Sequence, residues 1–184
     1  MREKLRQNKS DNFYQDPHDV RKVALSWDFC VQGNYPGMRT ASCTGAYRDS
    51  IKASFEKIIG EKITHWPEEY NTAFQYTTKD SKTWVHHDQT EWAAVVYLTP
   101  NAPLNSGTAI YRHKETGIFQ HHEGLLDFNE EKNKQSEWEI IAEAGNVFNR
   151  LVLYKGSYYH RSVVPGFGET KYNGRLFQTF FFST

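Results

Sequence analysis

The sequence predicts a mainly β protein of the α+β type, in which N-terminal helices pack on one sheet of a cupin-like double-stranded β-helix, or jelly roll. After residue 62, short apolar and aromatic runs alternate with turn residues, and strands at this spacing favour a sandwich or barrel. Aromatic residues make up 15% of the chain, which suits a β-rich core. Before residue 62, two segments have apolar residues at helical spacing instead.

The ends of the two predicted helices are marked by their residue types. The first helix should begin at Pro17, because Asp16 is a suitable cap and proline fits the first helical position, and it should end near Phe29. The second should cover residues 46–59, with Ile51 and Phe55 on one face and Gly60 as its stop.

Seven strands are predicted from the apolar runs, and the rest of the chain is polar. The strands cover residues 73–77, 84–88, 92–98, 108–112, 146–154, 157–164 and 175–182. Residues 1–10 are expected to be frayed. With 184 residues the chain favours one domain, so we expect a helical and loop region over residues 1–62 to pack on a β-helix core over residues 63–184, with a long insertion over residues 113–139.

Composition excludes several function classes. Lys and Arg together number 22, as do Asp and Glu, and a net charge of zero argues against a dedicated nucleic-acid binder. No apolar run approaches the ~20 residues that a membrane helix needs. The two cysteines, Cys30 and Cys43, follow no signal peptide, so we expect reduced thiols in a cytoplasmic protein. Composition leaves the oligomeric state undefined.

A short histidine and aspartate motif carries the candidate chemistry. On a predicted strand, His86 and Asp88 share one face and His87 points away. An imidazole and a carboxylate side by side can hold two adjacent positions of a metal ion. Of the eight histidines, His160 is the best third ligand, because it opens a strand-like run that a jelly roll can bring next to the motif. Two histidines and one carboxylate with open positions form the facial triad of non-haem iron(II) oxygenases.

A lone cation near the C-terminus points to a dicarboxylate. Arg175 opens a strongly apolar strand, and a buried charge without a partner is costly. Because guanidinium binds carboxylates in a bidentate fork, a dicarboxylate cosubstrate would supply that partner.

These residues, in this order, resemble the motifs of the 2-oxoglutarate- and Fe(II)-dependent dioxygenases, in particular the prolyl-4-hydroxylase-like branch. That family has an HxD motif, a distal histidine and then a basic residue, which correspond here to His86-His87-Asp88, His160 and Arg175.

Two tyrosines extend the resemblance. Tyr97 stands in the Tyr-Leu pair after HxD, where relatives use a tyrosine to help bind the distal carboxylate of 2-oxoglutarate. Tyr76 stands about ten residues before the first histidine, where relatives also place a tyrosine. The segment around Pro36 and Gly37 is similar to N-terminal regions of uncharacterised bacterial and phage oxygenase-like proteins.

The resemblance implies an oxidoreductase whose cofactors are Fe(II), 2-oxoglutarate as cosubstrate and O₂, with ascorbate as a supporting reductant. It implies iron on His86, Asp88 and His160, and 2-oxoglutarate held by Arg175, Tyr97 and Tyr76. The substrate would be a prolyl peptide, an amino acid or another small molecule.

Two alternatives stay open at this point. The same scaffold serves non-catalytic binding modules, because a fold does not determine function. A cupin-type metalloenzyme that does not use 2-oxoglutarate is the other, and it would leave the charge of Arg175 without a partner. Arg39, in the Pro-Gly loop, is expected to form a salt bridge in that loop, with a substrate contact as the alternative.

Overall fold

The structure is a computed structural model that describes residues 7–123 and 134–184. The strands and α-helices of these residues follow one another as β1 (Gln7–Ser10), α1 (Pro17–Ser26), β2 (Met38–Arg39), α2 (Gly45–Ile59), β3 (Phe74–Thr77), β4 (Trp92–Tyr97), β5 (Thr108–His113), β6 (Trp138–Ala144), β7 (Leu151–Lys155), β8 (His160–Ser162) and β9 (Arg175–Phe182).

The strands form two antiparallel sheets. The larger sheet has six strands in the order β1-β7-β4-β9-β3-β2, and the smaller has three in the order β6-β5-β8. All pairings within the two sheets are antiparallel. The predicted fold class is confirmed: the protein is mainly β, with two helices on a double-stranded β-helix.

Both helices pack on one face of the six-stranded sheet. Phe55 of α2 is fully buried and its ring lies 4.9 Å from that of Phe180 and 5.0 Å from that of Phe182, both on β9. Helix α2 ends where predicted, because Gly60 adopts a φ of 77° that glycine accepts without strain. Helix α1 starts at Pro17 as predicted but ends at Ser26, three residues before Phe29.

The opposite face of the six-stranded sheet looks toward the smaller sheet. On β4, Val95 and Tyr97 pack into the cluster between the sheets, whereas Ala94 and Val96 pack toward the helices. This alternation follows from the period of two along a strand, and both sets are buried because both faces are covered. The space between the sheets is where the candidate site lies.

Several predicted boundaries were wrong. Residues 84–88 form no strand and make only an isolated bridge at His86. Gln7–Ser10 is not frayed, because its backbone pairs with β7 along the edge of the large sheet. Residues 146–150 form a turn before β7, with Asn149 at a φ of 64°. Strand β6 begins inside the predicted insertion, of which residues 124–133 lie outside the described residues.

The division of the chain at residue 62 stays a prediction. Two strands of its first part, β1 and β2, pair with β7 and β3 of its second. In the part of the chain that the structure describes, no helix combines the length and apolar character needed to cross a membrane.

Phe55 should be the main anchor between helices and sheet. Replacing it with alanine leaves a cavity among Phe13, Trp66, Phe180 and Phe182, so we expect Phe55→Ala to lower the free energy of unfolding by about 3–5 kcal/mol. Ile58→Ala, on the exposed side of the same helix, should change it by less than about 1 kcal/mol. Denaturant unfolding measures both, and equal losses would contradict this packing.

Candidate metal centre

His86, Asp88 and His160 converge on one point between the two sheets. One potential ligand atom from each lies within 4.8 Å of the other two. Nε2 of His160 is 3.4 Å from Oδ2 of Asp88, and the two imidazole rings are 4.4 Å apart between centroids. Such a group of two imidazoles and one carboxylate can hold a metal ion.

Backbone contacts bring these distant segments together. The amide of His86 donates to the carbonyl of His160 at 3.1 Å, and the amide of His160 donates back at 2.7 Å. The amide of Asp88 donates to the carbonyl of Gly156 at 2.8 Å. Position 156 has no room for a side chain, because a Cβ there would stand 2.0 Å from the carbonyl oxygen of Thr90. Glycine thus permits the close approach that sets Asp88 beside His160.

The imidazole rings of His86 and His160 are each held by a hydrogen bond to a backbone carbonyl. Nδ1 of His86 donates to the carbonyl of Trp84 at 3.1 Å, and Nδ1 of His160 donates to the carbonyl of Tyr158 at 2.8 Å. A proton held on Nδ1 leaves Nε2 with a free lone pair, the state in which histidine binds metals. Burial, helped by the neighbouring His86, lowers the pKa of His160 from 6.5 to about 4, so its ring stays neutral at physiological pH.

One oxygen of Asp88 has no hydrogen-bond partner. Among the described residues, no donor reaches the buried Oδ2, although Nε2 of His160 is 3.4 Å away. Two lone pairs face each other there, and a buried acceptor without a partner is costly. A cation between the two atoms would satisfy both, so the residues fit a divalent metal ion. The donor set of two imidazoles and one carboxylate suits Fe(II).

His86, Asp88 and His160 line a cavity of about 580 Å³. Among the described residues, the lining includes three arginines, Arg39, Arg161 and Arg175, and two carboxylates, Asp88 and Glu69. With Asp88 beside the two histidines, the rest of the cavity has a positive bias. We therefore expect its contents to be anionic.

Arg175 is buried at the cavity wall, on the first residue of β9. Its Nε donates to the carbonyl of Ser106 at 2.7 Å, and its Nη2 to the hydroxyl of Thr108 at 3.4 Å. No described carboxylate lies within 4 Å of its guanidinium. Burial lowers its pKa, so a partner anion would offset a real cost.

Tyr97 lies behind Arg175. Its hydroxyl donates to Thr108 at 2.9 Å, and its ring centre lies 5.3 Å from the guanidinium carbon of Arg175. Burial raises the pKa of Tyr97, against the opposing effect of Arg175, so the hydroxyl stays protonated. Thr108 itself lines the cavity, which could not be predicted because a lone threonine at a strand start belongs to no recognisable pattern.

Tyr76 does not reach the cavity, contrary to the sequence prediction. Its ring packs against Phe29 at 4.9 Å on the helix side of the sheet. Its neighbours on β3, Gln75 and Thr77, point to the cavity instead. Successive residues of a strand face opposite sides, so Tyr76 cannot share the side of Gln75 and Thr77.

The structure also places His87 and Arg39. His87 is not part of the His86, Asp88 and His160 group, as expected, and its ring stacks on that of His121 at 3.9 Å. Arg39 makes no salt bridge with any described residue and lies not in a loop but on β2, buried against the cavity.

A family model matches residues 7–182, nearly the whole chain. The chain belongs to the family of unknown function DUF6445. None of the curated proteins is significantly similar to this DUF6445 member in sequence.

Solved structures show which fold this DUF6445 chain shares. One is a prolyl hydroxylase from Trichoplax adhaerens in complex with a hypoxia inducible factor oxygen degradation domain peptide fragment; it has a TM-score of 0.59 and 12% identity, and the match covers 96% of this chain and 82% of that one. Another is a prolyl-4-hydroxylase from Pseudomonas putida, with a TM-score of 0.53, 14% identity and coverage of 97% and 92%. At these identities the likeness establishes the shared double-stranded β-helix.

The lowered pKa of His160 makes the metal-free protein sensitive to acid. Between pH 6.5 and 4 the unfolded chain binds a proton on this histidine that the folded chain does not, so stability should fall as the pH falls. The loss due to His160 should approach about 3 kcal/mol, to order of magnitude.

Denaturant unfolding of metal-free protein at several pH values tests this. His160→Gln should have a shallower fall than the parent over this range, whereas His65→Gln, at an exposed position, should match the parent. Parallel curves for His160→Gln and the parent would contradict a neutral buried imidazole.

Proposed function

We propose that this protein is an Fe(II)- and 2-oxoglutarate-dependent dioxygenase that hydroxylates a small molecule or peptide. The observation that carries the proposal is the combination in one cavity of a facial His86, Asp88 and His160 group with a buried Arg175 that has no carboxylate partner among the described residues. A metal site alone fits many enzymes, whereas a metal site beside a buried unpaired guanidinium fits a dicarboxylate cosubstrate.

His86, Asp88 and His160 would hold the iron. Bound iron, with 2-oxoglutarate and O₂, supplies the oxidising power, while 2-oxoglutarate is converted to succinate and CO₂. The chain itself orients both imidazoles and keeps the proton on Nδ1, because the carbonyls of Trp84 and Tyr158 accept hydrogen bonds from the two Nδ1 atoms. Nε2 of each ring is then free to bind the iron. Asp88 supplies the charged ligand with its otherwise unsatisfied oxygen.

Arg175 would bind the distal carboxylate of 2-oxoglutarate. The carbonyl of Ser106 and the hydroxyl of Thr108 hold the guanidinium in place, so little entropy is lost when the carboxylate binds. Tyr97 orients Thr108 through its hydroxyl and covers one side of Arg175. Tyr76 has no part in this proposal, because it faces the helices.

Apolar walls would keep water from the reacting centre. Tyr154 is fully buried, lines the cavity and has its ring 4.6 Å from that of His160. Val95 and Phe177 line the same wall and are also buried. In such surroundings the charge interactions of Asp88 and Arg175 are stronger than in water.

The relatives in fold support the choice of reaction. Both are prolyl hydroxylases by description, and one binds a peptide fragment. A prolyl peptide, an amino acid or another small molecule are therefore the substrate classes to test first. A metalloenzyme that does not use 2-oxoglutarate would leave the Arg175 charge uncompensated.

Uncoupled turnover tests the proposed function without knowledge of the substrate. The protein supplied with Fe(II), ascorbate, O₂ and 2-oxoglutarate should form succinate, and the anaerobic complex should show the weak visible absorption of an iron chelate. His160→Ala should lose both signals together with bound iron, because two ligands cannot replace three. His65→Ala, an exposed site, should retain all of them. Absence of succinate and of the absorption band in the parent protein would refute the proposal.

Arg175 should control the affinity for 2-oxoglutarate and not that for iron. Arg175→Gln removes a charge-assisted contact, so the KM for 2-oxoglutarate in uncoupled turnover should rise about 10- to 100-fold while iron binding is unchanged. Arg175→Lys keeps the charge but lacks the planar fork, so its KM for 2-oxoglutarate should lie between those of the parent and of Arg175→Gln. Arg112→Gln, on the exposed side of β5, is the matched control. An unchanged KM in Arg175→Gln would mean that another residue is the anchor.

A further inference from the structure

Arg39 is a second buried cation in the same cavity. It is only 6% exposed, lines the cavity, and has no described carboxylate within 4 Å. Its place depends on Gly37, at a φ of 75°, where a Cβ would stand 2.1 Å from the carbonyl oxygen of Tyr76. That close approach lets β2 pair with β3 and brings Arg39 opposite Gln75.

The surroundings of Arg39 hold the guanidinium without neutralising it. Nε and Nη2 of Arg39 both donate to Oε1 of Gln75, and the bond from Nε is 2.9 Å long. The side-chain amide nitrogen of Gln75 in turn donates to the carbonyl of Pro36. The guanidinium carbon lies 3.9 Å from the ring centre of Tyr35 and 5.5 Å from that of Tyr70. All of these partners are neutral. Burial lowers the pKa of Arg39 to about 10, so the group is still charged at neutral pH.

The charges of the proposed cosubstrate complex leave Arg39 uncompensated. The two positive charges of iron and that of Arg175 match the charge of Asp88 and the two carboxylates of 2-oxoglutarate. Both histidines are neutral in this state, Glu69 is exposed, and Arg161 is only partly buried, so solvent screens the charges of Glu69 and Arg161. One buried positive charge is therefore left over, and an anion is needed to offset its cost.

Arg39 and Arg175 lie on different strands and share no hydrogen-bond partner among the described residues. Arg175 pairs with Thr77 across one strand spacing, and Gln75 pairs with Arg39 across the next, so two spacings of about 4.8 Å separate their strands. Between them, Oγ1 of Thr77 is buried at the cavity wall and has no hydrogen-bond partner among the described residues. A polar group of a bound ligand would satisfy it.

We propose that Arg39, presented by Gln75 and flanked by Tyr35 and Tyr70, binds a carboxylate of the substrate, so that the substrate is a small carboxylic acid or a molecule carrying a free carboxylate. The inference rests on the proposed dioxygenase function and adds its substrate class. Arg39 is thus a specificity-determining residue, and its planar fork explains why a single buried arginine suffices for the recognition.

Calorimetry on a loaded but unreactive complex tests the proposal. The protein is given Mn(II) in place of iron and saturating 2-oxoglutarate, without O₂. It is then titrated with small carboxylic acids (the protein L-amino acids, their N-acetyl derivatives, and aliphatic and aromatic monoacids), each beside its primary amide. At least one acid should bind about 10- to 100-fold more tightly than its amide, because only the acid makes a charge-assisted contact.

Variants then assign that preference to Arg39. Arg39→Gln should remove the preference for acid over amide, Arg39→Lys should retain part of it, and Arg112→Gln should leave it intact. The KM for 2-oxoglutarate in uncoupled turnover should rise far less in Arg39→Gln than in Arg175→Gln, because Arg39 acts on the cosubstrate only through the electrostatic field of the shared cavity.

Three results would overturn the inference: no acid binds, the preference survives Arg39→Gln, or Arg39→Gln raises the KM for 2-oxoglutarate as much as Arg175→Gln does. In the last case Arg39 holds the cosubstrate. Each differs from failure of the proposed function, which shows as a parent protein without uncoupled succinate formation or iron chelate absorption.

Discussion

The reciprocal backbone bridge between His86 and His160 is the contact on which the candidate site depends. Its two hydrogen bonds join a segment without regular structure, before β4, to β8 at the edge of the smaller sheet. Closing so long a loop has an entropic cost that the bridge alone cannot offset. The two sheets offset it, because their buried clusters hold both segments in place. The geometry of the candidate site is therefore a property of the whole double sheet.

The two faces of the six-stranded sheet differ in composition, so one stabilises the fold and the other lines the candidate site. The face toward the helices is apolar, with Phe180 and Phe182 around Phe55, and supplies hydrophobic stabilisation. The face toward the cavity holds buried polar groups such as Gln75, Thr77 and Arg175, which reduce stability unless they are paired. The stabilisation from the apolar face offsets the cost of burying polar groups on the other face. The helices therefore support the candidate site although they do not line the cavity.

The fold class could be predicted from the sequence, because the apolar runs alternate with turn residues. The His86, Asp88 and His160 group could be predicted as well, because His86 and Asp88, two positions apart, lie on the same side of the chain even though residues 84–88 form no strand. The face of β3 could not be predicted, since Phe74 and Gln75 are both buried and a strand covered on both sides has no polar pattern to show its orientation; hence Tyr76 was misplaced. Arg39 was assigned to a loop salt bridge, with a substrate contact only as the alternative, because Gly33 and Gly37 near it are typical of a loop and a strand of two residues gives no periodicity.

Charge couples the parts of the site to one another. Without ligands, burial lowers the pKa of Arg39, and the charge of Asp88 is one of the effects that oppose this lowering. If a divalent ion occupies the proposed site, it takes over the charge of Asp88 and leaves Arg39 less compensated than before. Each cation or anion that enters thus increases the cavity's affinity for the opposite charge, as linkage requires of groups that share a low-dielectric space. The metal would then bind cooperatively with each of the two anions, the cosubstrate and a carboxylate on the substrate, through electrostatics and without any movement of the fold.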